Sequence, residues 1–279
     1  MARKLKSTPG IKIGVLVLTV SLSSSIARAQ DAAPTPAPFS RDCQVGNSTI
    51  FNELPLPNVA TALQKRKTIK ILTIGAAATA GRRGRRGGYT EQIEQILENA
   101  IKGLDVVMIN RGVSGELAAD AAVRIQNEVA LREPDLVLWQ VGTNDALAFV
   151  PIDQLGTTIA ETIKWLKAHN VDVVLAGLQF VNQLEQDDHY RAVRELIRKV
   201  GAAENVVVVR RSEAMRLLTN SELGSGGLFP EEFAQTETGY ACLAEYVSRA
   251  ITLGAFGRAL HPLPGQPQMP QTPLNQQPH

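Results

Sequence analysis

The sequence predicts an α/β fold, a parallel sheet covered by helices on both faces. Three observations carry this. Short Val/Ile/Leu-rich runs alternate with amphipathic segments over residues 68–251. The runs are almost continuously apolar, as strands buried on both faces must be. The first of them ends abruptly at Gly75, and small residues, glycines and arginines follow before helical periodicity resumes near Thr90.

In chain order, residues 1–29 read as a secretory signal. Arg3, Lys4 and Lys6 precede an apolar run from Ile13 to Leu22, then Ala27-Arg28-Ala29 offers cleavage after Ala29. The alternative is a membrane anchor, but the run falls short of the roughly 20 apolar residues that span a bilayer. Cleavage removes five basic residues, leaving 24 basic against 27 acidic and a formal charge of −3. The mildly acidic product gives no footprint for nucleic acid or an anionic membrane surface. No later segment has the length and apolarity of a transmembrane helix.

Residues 30–42 carry Pro34, Pro36 and Pro38 and read as an extended linker; residues 257–279, rich in Pro and Gln, read as a disordered tail. Between them, residues 43–256 suit one domain with a substantial core. Strands are expected at Thr68–Ile74, Asp105–Ile109, Leu136–Gln140, Val171–Leu178 and Val206–Val209. Helices between them bury Ile93/Leu97/Ile101, Ala118/Ala122/Ile125/Val129, Leu155/Ile159/Ile163/Leu166 and Val193/Ile197/Val200, and a closing helix runs from Gly239 to Ile251. Trp139 falls in a strand and reads as core. Trp165, between two buried positions of its helix, reads as partly exposed.

The two cysteines, Cys43 and Cys242, bracket the domain; an exported chain with this count is expected to bridge them, the alternative being two buried thiols. Two cysteines and four scattered histidines show no metal-ligand spacing, so no metal or cofactor is expected.

Ligands of open α/β sheets bind beyond the carboxyl ends of the strands. Four segments there have distinctive composition: Gly75-Ala76-Ala77-Ala78-Thr79, Asn110-Arg111-Gly112-Val113-Ser114-Gly115, Gly142-Thr143-Asn144-Asp145, and Glu231 to Tyr240. In this order they resemble the four sequence blocks of the SGNH (GDSL-type) hydrolases, most strongly in the second and third blocks and at Gly239-Tyr240. The resemblance implies a three-layer α/β/α sandwich with a flavodoxin-like sheet of about five strands. It also implies oxyanion donors at Gly112 or Gly115 and at Asn144, a nucleophile at Ala77, an acid at Glu231 and a base at Ala234. Alanine supplies neither a nucleophile nor a base. A serine attacks only because an imidazole takes its proton, so the paired loss implies a retired ester-hydrolase site.

Substitutes exist: Thr79 and Ser114 carry hydroxyls, while Glu231, Glu232 and His189 carry bases. The ordinary reading is a local backbone bond for each hydroxyl and an exposed helix start for His189. Arg82, Arg83, Arg85 and Arg86 form the most unusual run of the exported chain. They either grip anionic groups at the pocket mouth, with Gly75, Thr79 and Gly115, or make a solvated loop. No phosphate-binding glycine motif accompanies them. The expected protein binds an acylated or anionic envelope glycan or lipid without cleaving it. The alternatives are an esterase with a relocated nucleophile and a scaffold for an acidic protein partner.

Overall fold

The computed structural model describes residues 38–45, 50–75, 88–220 and 230–260. Five parallel strands form one sheet: β1 (Thr68–Gly75), β2 (Asp105–Gly112), β3 (Leu136–Gln140), β4 (Asp172–Ala176) and β5 (Val207–Val209). Their order is β2-β1-β3-β4-β5. This is the flavodoxin-like order, and the chain reverses direction across the sheet between β1 and β3.

Side-chain alternation along each strand feeds two cores. Ile69, Ile71, Leu136, Leu138, Val174 and Val207 face one side, packed under α1 (Pro57–Lys65), α2 (Tyr89–Ala100), α7 (Arg211–Asn220), α8 (Pro230–Phe233) and α9 (Glu237–Leu260). Leu72, Ile74, Val137, Trp139, Val173 and Val208 face the other. There α3 (Ala118–Arg132), α4 (Thr143–Leu147), α5 (Ile152–Ala168) and α6 (Asp188–Ala203) cover them.

All five expected strands are present, β3 with the expected bounds and the other four with shifted ends. Pairing continues to Gly75↔Gly112, so β2 runs past Ile109 to Gly112, while β4 and β5 are shorter than their apolar runs. Sequence periodicity missed α1 and α7. It also ended the closing helix at Ile251, whereas α9 begins at Glu237 and runs to Leu260, taking in residues assigned to the tail. Gly254 interrupts the apolar pattern but not the helix. A Cβ there would lie 2.7 Å from Leu56 Cγ, and its carbonyl accepts the Leu56 N–H at 2.9 Å.

The sheet edges are closed differently. Ile50–Asn52 runs against β5, with Phe51 bridging Val209 and the Asn52 side chain bonding the Val206 carbonyl and the Val208 N–H. On β2, side chains take the outward groups: Glu98 accepts from Val106 N–H and Asn110 from Gly112 N–H. Cys43 and Cys242 are bridged, with Cα atoms 5.1 Å apart. The bridge closes a loop of 199 residues, worth roughly 2–5 kcal/mol. The end of the expected linker is docked on α9: the Phe39 ring meets Tyr246 edge-on at 5.1 Å and lies under Arg249. No described helix is long and apolar enough to cross a membrane.

Candidate functional site

The loops after β2 and β3 meet at the C-terminal end of the sheet, beside the reversal between β1 and β3. At the end of β2, the Asn110 side chain turns both ways. Its Oδ1 accepts from Gly112 N–H at 3.0 Å, and its Nδ2 donates to Thr90 of α2 at 3.3 Å. Gly112, one of two candidate oxyanion donors, therefore has its N–H occupied. Gly115 is exposed, holds φ +80°, and its N–H has no acceptor among the described residues. Of the two glycines it is the one able to donate to a ligand.

Asn144 lies in α4, the single helical turn that follows Gly142. Only glycine fits at 142: φ is +102°, and a Cβ would fall 2.4 Å from Ile197 Cδ1. Asn144 Nδ2 donates to the Glu116 carbonyl at 2.9 Å, and an amide nitrogen carries a second N–H that this bond leaves over. Asp145, 2% exposed, accepts the Ala118 N–H at 2.8 Å at the start of α3. Burial pushes its carboxyl pKa up, opposed by these backbone bonds. Two bonds thus lock the third loop to the second and tie Asn144 to the residue next to Gly115.

The second loop is further clamped by Arg124, which pairs with Glu116 at 2.8 Å and donates to the Arg111 carbonyl. Burial raises the Glu116 pKa, and Arg124 works against that rise. Beside Asp145 opens a recess of about 240 Å³, walled by Leu117, Phe149, Val150, Pro151 and Leu155. Phe149 stands 67% exposed and stacks on His189 at 5.3 Å. His189 is in the first turn of α6, as expected, but half-buried rather than exposed.

The network continues toward β5 through Gln179, a residue that sequence reading missed. Its N–H donates to Thr143 Oγ1 at 3.0 Å, its carbonyl accepts the Tyr190 hydroxyl at 2.5 Å, and its side chain faces Arg211 at 3.5 Å. Burial pushes the Tyr190 phenol up to about 12, so it remains a neutral donor. Arg211 was also missed, although the Arg210-Arg211 pair just beyond an apolar strand, at its carboxyl end, was the available signal.

Ala77, Thr79, Arg82, Arg83, Arg85 and Arg86 lie outside the described residues, while Gly75 ends β1. Glu231 belongs to α8. Ala234, 3% exposed, directly follows α8 and packs in the core beneath α9. Trp139 is fully buried; Trp165 is half-buried and stacks on His169 at 3.8 Å. Among the described residues, no three His, Cys, Asp or Glu side chains are grouped to hold a metal.

The non-GDSL lipase-like family matches residues 42–256. An arylesterase of Vibrio mimicus is 29% identical over 116 residues, which is 39% of this chain and 54% of that protein. The chain thus spans about half the length of that curated relative. Axe2, an acetylxylan esterase from Geobacillus stearothermophilus, has a similar structure, with TM-score 0.55 and 20% identity over 66% of this chain and 94% of that one. The acetyl xylan esterase AlAXEase gives TM-score 0.54 and 23% identity over 64% and 98%. At these identities the two structures establish a shared fold.

Proposed function

The chain belongs to the non-GDSL lipase-like family, and from that premise we propose that it is an exported ester-binding protein. It holds an acylated or anionic envelope glycan or lipid in an SGNH-type site without cleaving it. The observation that carries this is an asymmetry within one site. The oxyanion side is built and braced, with Gly115 and Asn144 free to donate and Asp145 tying their loops together. The positions that match nucleophile and base hold Ala77 and Ala234. Oxyanion donors and binding alone retain only ~10³–10⁴-fold over water, far below the ~10⁶-fold or more of working enzymes.

The apolar recess beside Asp145 is chemically suited to a short acyl group. Esterases of acetylated xylan among the structural neighbours and an arylesterase among the relatives support an ester as the ligand. The disulfide supports an oxidising compartment, and the arginine run supplies the grip on anionic groups. Those esterase relatives also favour a second reading, catalysis by a relocated nucleophile, with the exposed Ser114 beside Gly115 as one bearer.

Hydrolysis of p-nitrophenyl acetate and of acetylated xylo-oligosaccharides by the full chain decides between them. Turnover no faster than buffer is expected. Robust turnover, abolished by Ser114→Ala or Thr79→Ala, would establish the second reading instead.

A further inference from the structure

Arg211 opens α7, one residue beyond Arg210 at the end of β5, and is 2% exposed, one of the largest fully buried side chains among the described residues. Its Nη1 is shut away from solvent and has no hydrogen-bond partner among the described residues. Among the described residues its Nη2 reaches Gln179 Oε1, at the 3.5 Å limit of such a bond. The nearby acids are spent elsewhere among the described residues: Glu185 pairs with Arg194 at 2.9 Å, and Glu213 accepts the Ser212 hydroxyl at 3.2 Å. No described carboxylate pairs with Arg211. A buried charge without a counter-charge is strongly destabilising. A chain keeps one where something else is to supply the opposite charge.

The surroundings say what. Arg211 sits where the ends of β4 and β5 meet, next to Gln179, and the phenols of Tyr89, Tyr190 and Tyr240 are close enough to act on its charge. These residues come from the start of α2, from α6 and from the first turn of α9, so the position lies at the strand-end crevice. Among the described residues Arg211 is the fully buried cation here, the nearby Arg194 being paired with Glu185, and a single guanidinium balances a monoanion; a phosphate dianion calls for more cations. We propose that Arg211 anchors a carboxylate group of the ligand, received on its planar fork beside Gln179 at the C-terminal end of the sheet.

This deepens the proposed function and rests on it for the identity of the crevice as the ligand site. Ester hydrolysis by the wild type would overturn that reading while leaving the anion test unaffected. The test is thermal unfolding of the full chain in sodium acetate against sodium chloride at equal ionic strength. Acetate is expected to raise Tm by roughly 2–4 °C at several times its dissociation constant. In Arg211→Met this increment disappears, while the Tm without acetate equals or exceeds that of the wild type, because an unpaired buried charge has been removed. If Arg211→Met does not fold, Arg211→Lys replaces it, since a point charge lacks the fork and loses most of the increment. An acetate effect that survives both substitutions, no effect in the wild type, or a larger response to inorganic phosphate would overturn the proposal.

Discussion

The two ends of the sheet treat buried polar groups in opposite ways. At the N-terminal end, Asp172 accepts from the Asn58 N–H, the Val59 N–H and the Asn58 side chain, each at 2.9 Å, and so caps the start of α1 from a distant strand. Asp135 beside it accepts the Lys70 N–H at 2.9 Å and pairs with Arg66 at 2.6 Å. At the C-terminal end, Arg211 is fully buried and, among the described residues, keeps an unused donor, and Gly115 and Asn144 have N–H groups to spare. Folding completes the first end by itself and leaves the second prepared for something else. A polar group consumed by its own chain holds the fold; one left over at a strand end is available to a ligand.

The contrast can be broken most forcefully at Asp172. Asp172→Ala strips the start of α1 of its acceptors and should cost about 2–4 kcal/mol in urea unfolding. A loss below about 0.5 kcal/mol would mean that the N-terminal end is not held in this way. Next in size is Gly142→Ala, which forces a Cβ onto Ile197 at φ +102°. It should cost about 1–3 kcal/mol and disturb Asn144. An unchanged denaturation midpoint would show that the third loop has room to shift.

The pH dependence sharpens the comparison further. Burial raises the Asp172 pKa to about 6 despite its hydrogen bonds. Because the folded value lies above the unfolded one, the associated stability is fully present below about pH 4 and is lost as pH rises through 6. The stability difference between wild type and Asp172→Asn should therefore drift by about 1–2 kcal/mol over that window. A difference that stays flat from pH 4 to 7 would refute the assignment. The smallest effect is expected at Tyr190→Phe, which removes the bond to the Gln179 carbonyl. About 1 kcal/mol of stability should go, and the acetate response of Arg211 should weaken as Gln179 loosens. Full retention of that response would separate Gln179 from the anion position.

Much of this was legible in the chain. Near-continuous apolar runs located all five strands, and the 3.6-residue periodicity located the helices that face them except α1 and α7. The misses share a cause. α7 begins with Arg211 and reads as polar, and Gly254 makes the end of α9 look like a terminus although the glycine is there to let Leu56 approach. Short elements held by tertiary contact, such as Ile50–Asn52 along β5, leave no periodic trace at all.

The sequence by itself determined the α/β class, the two-faced core and the order in which the site loops arrive, because periodicity and strand-end composition are local properties. It also marked the cysteines to be joined and the alanines at Ala77 and Ala234. Only the tertiary structure decided the β2-β1-β3-β4-β5 order, the choice of Gly115 over Gly112 as the free donor, and the burial of Arg211 with no carboxylate partner among the described residues. Each of these depends on which group from a distant segment arrives to accept or donate a hydrogen bond, and a residue's own neighbours in sequence do not specify that.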